Sequence, residues 1–346
     1  MKVTKVRARV RVVHCVLMLM LLALLAGCVA ELPPAAPTAE PADASALAVT
    51  ATPAPAPEAG AADTTADVDA PEPVMLDAPL WALGYTADGS TLVLGTAYGL
   101  YTFTDDVWTR SSTPPRYYAG FAPVADGFYS SGQPDLGDDE PNPLGLVKSE
   151  DVGETLAFLA FTGESLFNQM GAGYRSNTVY VINEEENSLL PRGLHYTQDD
   201  GATWGTSAAQ GIRAVTLQVA VHPDDPAVVA LPSYGGLYLS TDFGDTFTVI
   251  SQGFGQDDPT VSAAAFSPAE DGVLIYGFRT LARAGIDGSN PAEIPAPQVS
   301  NEDAILSIAV NPTNPDEMAF ATYERVIWRT RDGGAHWDLI GIPAMQ

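Results

Sequence analysis

A short motif recurs along this chain at a nearly constant spacing. It reads Ser/Thr-x-Asp-x-Gly-x-Thr-aromatic, and the aspartates of its four clear copies are 48, 43 and 90 residues apart. Because 90 is twice 45, eroded copies are expected near residues 287 and 106, where Asp287-Gly288 and Asp106 stand. We call the motif the Asp box. Its characteristic residues are Asp151 and Gly153; Asp199, Gly201 and Trp204; Asp242 and Gly244; Asp332, Gly334 and Trp337.

The chemistry of the Asp box is that of a reinforced turn. An aspartate side chain accepts hydrogen bonds from backbone amides of its own turn, and a glycine two residues later permits a positive φ. The aromatic residue that follows begins the next strand and buries its ring. We therefore interpret the box aspartates as structural rather than catalytic.

Each period of the repeat also contains four strand-like runs separated by Gly, Pro, Asn and Asp. In the fourth period they cover 217–221, 227–231, 236–240 and 246–250. Four strands repeated every 40 to 45 residues are typical of β-propeller blades. The chain is therefore predicted to be all-β, with six four-stranded blades and seven as the alternative. The predicted blades cover about 79–110, 116–160, 166–208, 214–251, 260–294 and 304–341.

The N-terminus has the pattern of a targeting segment. Basic residues precede an apolar run over 12–26, which is short for a membrane-spanning helix. Leu25-Ala-Gly-Cys28 then resembles a bacterial lipobox, which implies a signal peptide over 1–27 and lipidation of Cys28. An uncleaved membrane anchor is the alternative. Residues 28–73 form an acidic linker in which 25 of the 45 residues after the cysteine are Ala or Pro, and the predicted propeller occupies 74–346. Proline excludes helix and sheet from the linker.

The charge balance excludes one class of partner. The formal net charge is −27, and beyond residue 27 there are 11 basic against 43 acidic residues. Nucleic-acid binding needs cations that neutralise phosphates, so nucleic acid is excluded as a partner. We expect an extracytoplasmic monomer attached by its lipid to the cell membrane or cell surface.

The order of strands assigns each turn to one of two rims. In a four-stranded meander the first and third turns share a rim, which we call the box rim because it carries the Asp boxes. The second turn and the links between blades lie on the opposite rim, which we call the link rim. The second turns of blades two and three are enlarged, over 132–144 and 183–192, so both are expected on the link rim, where binding loops of a rigid scaffold collect.

Two further features mark candidate ligand residues. Acidic residues cluster in both enlarged loops, and clustered oxygens suit Ca²⁺ or a cationic ligand. Solvated acids are the alternative, so no metal site or cofactor is assigned. Tyr117 and Tyr118 open the inner strand of blade two, where they could line the central channel or serve in packing. The acidic residues are Asp135, Asp138, Asp139, Glu140, Glu184, Glu185 and Glu186.

One family resemblance covers nearly the whole predicted propeller. Gly127-Phe-Tyr-Ser-Ser-Gly-Gln-Pro134, Gly171-Ala-Gly-Tyr-Arg-Ser-Asn-Thr-Val-Tyr180 and the boxes resemble bacterial glycosyl-hydrolase-like lipoproteins of the Asp-box (BNR) class. That pattern has histidines where this chain has Gln133 and Asn168. The resemblance implies a pocket near these two residues whose original metal or acid–base chemistry has been lost; independent drift in two surface loops is the alternative. The candidate ligand face is completed by Glu164, Arg175 and Arg192.

Three functions remain open from the sequence. The first is a recognition module for a glycan, peptide or protein. The second is a sialidase-like glycoside hydrolase, although the Arg-Ile-Pro motif of sialidases is missing and any arginine triad would come from scattered residues. The third is an assembly factor like the lumenal one of photosystem II, which Asp-box propellers also resemble. The arginines concerned are Arg116, Arg175, Arg192, Arg213, Arg279 and Arg283.

Overall fold

The computed structural model of the chain describes residues 74–251 and 258–343. The predicted signal peptide, Cys28 and the linker lie outside the described residues. Within the described ranges the regular structure consists of β-strands. In the same ranges, no helix has the length and apolarity needed to cross a membrane.

Twenty-five strands form six sheets, and within each sheet the four strands of a blade pair in chain order. Blade 1 contains β2 (Leu80–Tyr85), β3 (Leu92–Thr96), β4 (Gly99–Thr104) and β5 (Val107–Arg110). Blade 2 contains β6 (Tyr117–Val124), β7 (Gly127–Gln133), β8 (Leu146–Ser149) and β9 (Ala157–Ala160). Blade 3 contains β10 (Gln169–Ala172), β11 (Val179–Asn183), β12 (Gly193–Thr197) and β13 (Gly205–Thr206).

The second half of the chain repeats this arrangement. Blade 4 contains β14 (Ala220–Val221), β15 (Val229–Ser233), β16 (Gly236–Ser240) and β17 (Thr248–Ser251). Blade 5 contains β18 (Ala263–Phe266), β19 (Val273–Gly277), β20 (Leu281–Gly285) and β21 (Ala292–Ile294). Blade 6 contains β22 (Ile305–Val310), β23 (Met318–Thr322), β24 (Ile327–Thr330) and β25 (Asp338–Pro343), together with the N-terminal strand β1 (Val74–Leu76).

The first strand of each blade lies innermost and contacts the first strands of both neighbouring blades. These contacts run from β2 through β6, β10, β14, β18 and β22 and return to β2, so the six blades close into a ring. The prediction of an all-β, six-bladed propeller is therefore confirmed. The eroded Asp-box copies also fall in third turns, between β4 and β5 and between β20 and β21.

The ring closes through a strand that the sequence analysis did not predict. β1 pairs in parallel with β25, and Val74 lies opposite Gly341 while Leu76 lies opposite Pro343. Leu76 is fully buried in a core cluster that also contains residues of blades 1 and 6, such as Leu83 and Ile327. Blade 6 is thus a five-stranded sheet made from both ends of the propeller.

The hydrophobic core is divided among the six junctions between blades. Each of the six junctions, including the one between blades 6 and 1 where the ring closes, contains its own cluster of buried side chains. Close approach of the inner strands requires small residues. A Cβ on Gly84 would lie 2.2 Å from the Pro123 ring of blade 2, and a Cβ on Gly120 would lie 2.4 Å from the Phe167 carbonyl oxygen.

The four clear Asp boxes share one hydrogen-bond pattern. Asp242 Oδ1 accepts from Ser240 Oγ at 2.7 Å and from the Thr246 amide at 2.9 Å, while Oδ2 accepts from Thr246 Oγ1 at 2.6 Å. These bonds lower the pKa of Asp242 to about 2. The bond from the Thr246 hydroxyl has the largest effect, and the bond from the Thr246 amide has the next largest. Gly244 adopts a φ of 80° and packs against Leu194 of the preceding blade. Each box is therefore both a turn and a contact between blades.

Two box tryptophans strengthen these junctions. Trp337 Nε1 donates to the Pro295 carbonyl of blade 5 at 2.7 Å. Trp108, in the eroded box of blade 1, donates in the same way to the Ile340 carbonyl of blade 6 at 2.7 Å. The periodic motif thus fastens successive blades to one another.

Candidate functional site

Three loops of blades 2 and 3 form a continuous layer on the link rim. They are the second turn of blade 2 (134–145), the link between the two blades (161–168) and the second turn of blade 3 (184–192). We call them the loop layer. The bonds that join them are Gly163 N to Pro143 O at 2.8 Å, Ser188 N to Glu164 Oε2 at 3.1 Å, Asn187 Nδ2 to Ser165 Oγ at 2.9 Å, and Asn168 Nδ2 to Glu184 Oε2 at 3.0 Å.

The acidic side chains of the loop layer do not converge on a common point. Glu140 accepts two hydrogen bonds from the buried Arg116, at 2.8 and 2.6 Å, and this hydrogen bonding lowers the pKa of Glu140. Asp135 caps the amide of Leu136 at 2.8 Å, while Asp138 and Asp139 are exposed. Across the described residues, no three His, Cys, Asp or Glu side chains lie close enough together to hold a metal ion. These acids are therefore solvated or paired with protein groups.

The two tyrosines that open blade 2 lie in different environments. Tyr117 is half-buried and packs edge-to-face on Trp81, with ring centroids 5.3 Å apart. Tyr118 is fully buried between blades 1 and 2, against Phe121 and Phe128. Both lie at the link-rim end of β6, outside the cavity in the box-rim half of the central channel. Tyr118 is a packing residue.

Gln133 and Asn168 both lie on the link rim, and both are exposed. Gln133 ends β7 opposite Tyr117, whereas Asn168 precedes β10 and bonds Glu184. The structure thus places them on the same rim, with Asn168 tied into the loop layer and Gln133 at its edge. A pocket shared by the two remains a prediction.

The structure separates the two candidate arginines. Arg192 is exposed at the end of the loop layer. Arg175 lies in the first turn of blade 3, on the box rim, and pairs with Asp224 through bonds of 2.7 and 2.5 Å. Arg175 therefore does not belong to the same face as the other candidate residues.

The first turn of blade 3, residues 173–178, closes the channel at the box rim. The Tyr174 hydroxyl donates to the Tyr85 carbonyl of blade 1 at 2.9 Å, and Arg175 Nη1 donates to the Pro268 carbonyl of blade 5 at 2.7 Å. Blades 1 and 5 are not neighbours of blade 3, so this turn crosses the channel mouth. Burial raises the pKa of Tyr174 to about 12, which keeps its hydroxyl protonated and able to donate.

The central channel is narrow and apolar. In its box-rim half the walls consist mainly of small side chains, and they leave a cavity of about 120 Å³; these side chains include Ala82, Ala122, Ala172, Ala220 and Ala264. No arginine, lysine or carboxylate is among the described residues that line it.

Sequence reasoning missed a set of exposed tyrosines on the link rim. Tyr98, Tyr234 and Tyr323 occupy the second turns of blades 1, 4 and 6, and their exposed fractions are 56%, 58% and 53%. Desolvation raises the pKa of Tyr323, and the charge of Tyr234 adds a smaller increase. The signal was present in the sequence, since each tyrosine stands alone in a short turn between two buried strands.

No known protein-family model matches this chain, and no curated protein matches it. Solved structures share its architecture. The chain is similar to the GH74 xyloglucanase of Xanthomonas campestris, with 17% identity over 75% of this chain and 45% of that one, and a TM-score of 0.46. It is also similar to the GH74 enzyme of Niastella koreensis, with 15% identity over 78% and 46% of the two chains and a TM-score of 0.49.

A third similar structure is YCF48 bound to D1 peptide, with 13% identity over 78% of this chain and 84% of that one, and a TM-score of 0.45. The chain spans less than half the length of the two GH74 proteins. Similarity at this level of sequence identity says nothing beyond the β-propeller fold. The evidence for that fold is the order of strands in the six sheets described above.

Proposed function

We propose that this chain is a membrane-tethered recognition module that binds a glycan, peptide or protein partner through its link rim. In this proposal the lipidated Cys28 and the linker over 28–73 hold the propeller outside the cytoplasm. The anchor rests on the sequence pattern of the N-terminus, and the binding face rests on the structure of the propeller.

The distribution of exposed apolar side chains carries the proposal. Nine large apolar side chains are exposed among the described residues, and six of them lie on the link rim. Single exposed apolar residues are ordinary on a protein surface, whereas their concentration on one face marks an interaction site. Tyrosine supplies contact area with few rotatable bonds and a polar end. The six residues are Tyr98, Leu136, Leu189, Val215, Tyr234 and Tyr323.

The channel favours binding over glycoside hydrolysis. Hydrolysis by the usual mechanism needs two carboxyl groups on either side of the scissile bond. The residues that line the cavity in the box-rim half of the channel include none, and the turn over 173–178 covers the mouth at that rim. A ligand is therefore expected to lie across the link rim rather than inside the ring.

Matched triple variants of the full-length chain test this proposal. Y98A/Y234A/Y323A removes three rings from the link rim, and V107A/F158A/V249A removes three exposed apolar side chains from outer strands. Both proteins are applied to a glycan array and a peptide array, with circular dichroism to check folding. We expect the first variant to lose the binding of the unaltered chain and the second to keep it.

Two results would count against the proposal. Undiminished array binding by the folded link-rim variant would show that the rim is not the binding face. Turnover of fluorogenic glycosides by the unaltered chain would favour the alternative function of a glycoside hydrolase. Binding to the peptide array but not to the glycan array would identify the partner as a peptide, as expected of an assembly factor.

A further inference from the structure

A cavity lies between blades 1 and 2 at the box rim, away from the loop layer. Its volume is about 370 Å³, within the range of pockets that hold small ligands. It borders the cavity of the channel, because Gly84 and Pro123 belong to the walls of both. It also reaches the surface of the box rim, where the exposed residues Asp126 and Glu150 border it. We call it the junction cavity.

The side chains that form the walls of the junction cavity are apolar. Blade 1 contributes Val93, and blade 2 contributes Phe121, Phe128 and Val152. All four belong to the core cluster of this junction or pack against it. The rings of Phe121 and Phe128 contact each other, with centroids 4.7 Å apart. The junction cavity is therefore an unfilled part of the hydrophobic core between the two blades.

The next two junctions have an aromatic ring at the corresponding place. The residue after the box aspartate has a positive φ in blades 2, 3 and 4, where it is Val152, Asp200 and Phe243. Asp200 accepts a hydrogen bond from the fully buried Tyr129 of blade 2, and Phe243 stacks on Tyr196 of blade 3 with centroids 4.9 Å apart. Val152 instead borders the open cavity.

The two carboxylates at the edge of the junction cavity have partners on the other face of blade 2. Lys148 Nζ lies 2.9 Å from Asp126 Oδ2 and 3.2 Å from Glu150 Oε1. Asn177 Nδ2 also donates to Asp126 Oδ2, at 3.2 Å. Lys148 Nζ lies over the ring of Tyr129, which belongs to the core cluster between blades 2 and 3. These carboxylates therefore supply no charge inside the junction cavity.

The two other polar side chains of the lining are also paired with groups outside it. Thr86 Oγ1 donates to Asp88 at 2.7 Å, and the Tyr85 hydroxyl donates to Glu317 at 3.4 Å. A charged ligand would therefore lose its hydration here without gaining a side-chain partner. An uncharged apolar ligand gains by leaving water for the valine and phenylalanine walls.

We propose that the junction cavity is a second binding site, which takes an uncharged apolar small molecule. An apolar cavity of about 150 Å³ accommodates one benzene ring. The junction cavity, at about 370 Å³, therefore has room for a molecule of two or three rings. This site is independent of the link rim, so it stands whether or not the link rim binds a partner.

Two fluorescent probes that share one aromatic body and differ in charge test the proposal. N-phenyl-1-naphthylamine is uncharged, and 8-anilino-1-naphthalenesulfonate carries a sulfonate on the same body. The full-length chain is titrated with each probe, and the rise of fluorescence in an apolar environment reports binding. We expect one saturable site for the uncharged probe. The sulfonate should bind at least about tenfold more weakly, because its charge has no partner in the cavity and the field of this acidic chain repels it.

Two matched replacements of valine by phenylalanine locate the site. V152F fills the cavity and suits the backbone, because Phe243 occupies the same position in blade 4 with a φ of 59°. It should weaken the uncharged probe by at least about tenfold. V107F adds the same ring to an exposed valine of the outer strand β5 and should keep the affinity within about twofold. Y98A/Y234A/Y323A should keep it as well, because the link rim does not line the cavity.

A third variant keeps the test decisive if V152F does not fold. Asp106 and Asp200 occupy the position of Val152 in blades 1 and 3 with φ values of 60° and 56°, so the backbone also suits V152D. This variant places a carboxylate in the apolar wall and should weaken the uncharged probe by at least about threefold.

Binding of the sulfonate as tightly as the uncharged probe would overturn the uncharged class of ligand. Unchanged affinity for the uncharged probe in folded V152F or in V152D would overturn the site. The same conclusion would follow if the unaltered chain showed no saturable binding, or if Y98A/Y234A/Y323A lost it.

Discussion

The N-terminal strand β1 contributes a fully buried leucine, Leu76, to the junction between blades 6 and 1. Replacing Leu76 by alanine should weaken the closure of the ring. Leu76 has no exposed surface and packs in the same cluster as Leu83 and Ile340. Truncation of a buried leucine to alanine lowers the free energy of unfolding by about 3 kcal/mol, through lost burial and the cavity left behind. For a domain of this size, L76A should lower Tm by about 6–12 °C.

Thermal unfolding followed by circular dichroism measures this effect on the full-length chain. The control is L136A, because Leu136 is 99% exposed on the link rim and its loss should change stability by less than about 0.5 kcal/mol. Similar melting temperatures for L76A and L136A would refute the reasoning, since they would show that β1 does not hold the ring closed in solution.

Three further predictions concern the Asp boxes. The pKa values of the four box aspartates are lowered, namely those of Asp151, Asp199, Asp242 and Asp332. The stability that these aspartates contribute should therefore be present above pH 4 and be lost as the pH falls toward 2. Melting curves recorded over this pH range measure the effect, and a Tm that does not change with pH would contradict the prediction. W337F removes the bond from Trp337 Nε1 to the Pro295 carbonyl and should destabilise the chain by about 1 kcal/mol in urea titration, whereas no change would mean that the bond is dispensable. V152F relieves a β-branched residue at positive φ and fills a cavity, so it should stabilise the chain by about 1 kcal/mol, and a lower Tm would indicate overpacking instead.

The repeat made most of the fold predictable. Box spacing located the third turns, including those at Asp106 and Asp287 where most of the motif is eroded, because turn chemistry is local. β1 escaped prediction because it is three residues long and its partner, β25, lies at the far end of the chain. No local pattern encodes a parallel pairing across that separation.

The candidate site was less predictable, for reasons that differ from residue to residue. The rims of the enlarged loops followed from strand order, whereas the burial of Tyr118 depends on packing between blades that no local pattern encodes. Arg175 was assigned by resemblance, and only the structure showed its turn crossing the channel. The cavity that Val152 lines between blades 1 and 2 depends on packing between residues distant in the sequence, which no local pattern encodes.

The direction of β1 has a consequence for how the propeller is presented. β25 leaves the last Asp box and runs toward the link rim, and β1 is parallel to it. β1 therefore begins at the box rim, so the strand that closes the ring enters it on the side opposite Tyr98, Tyr234 and Tyr323.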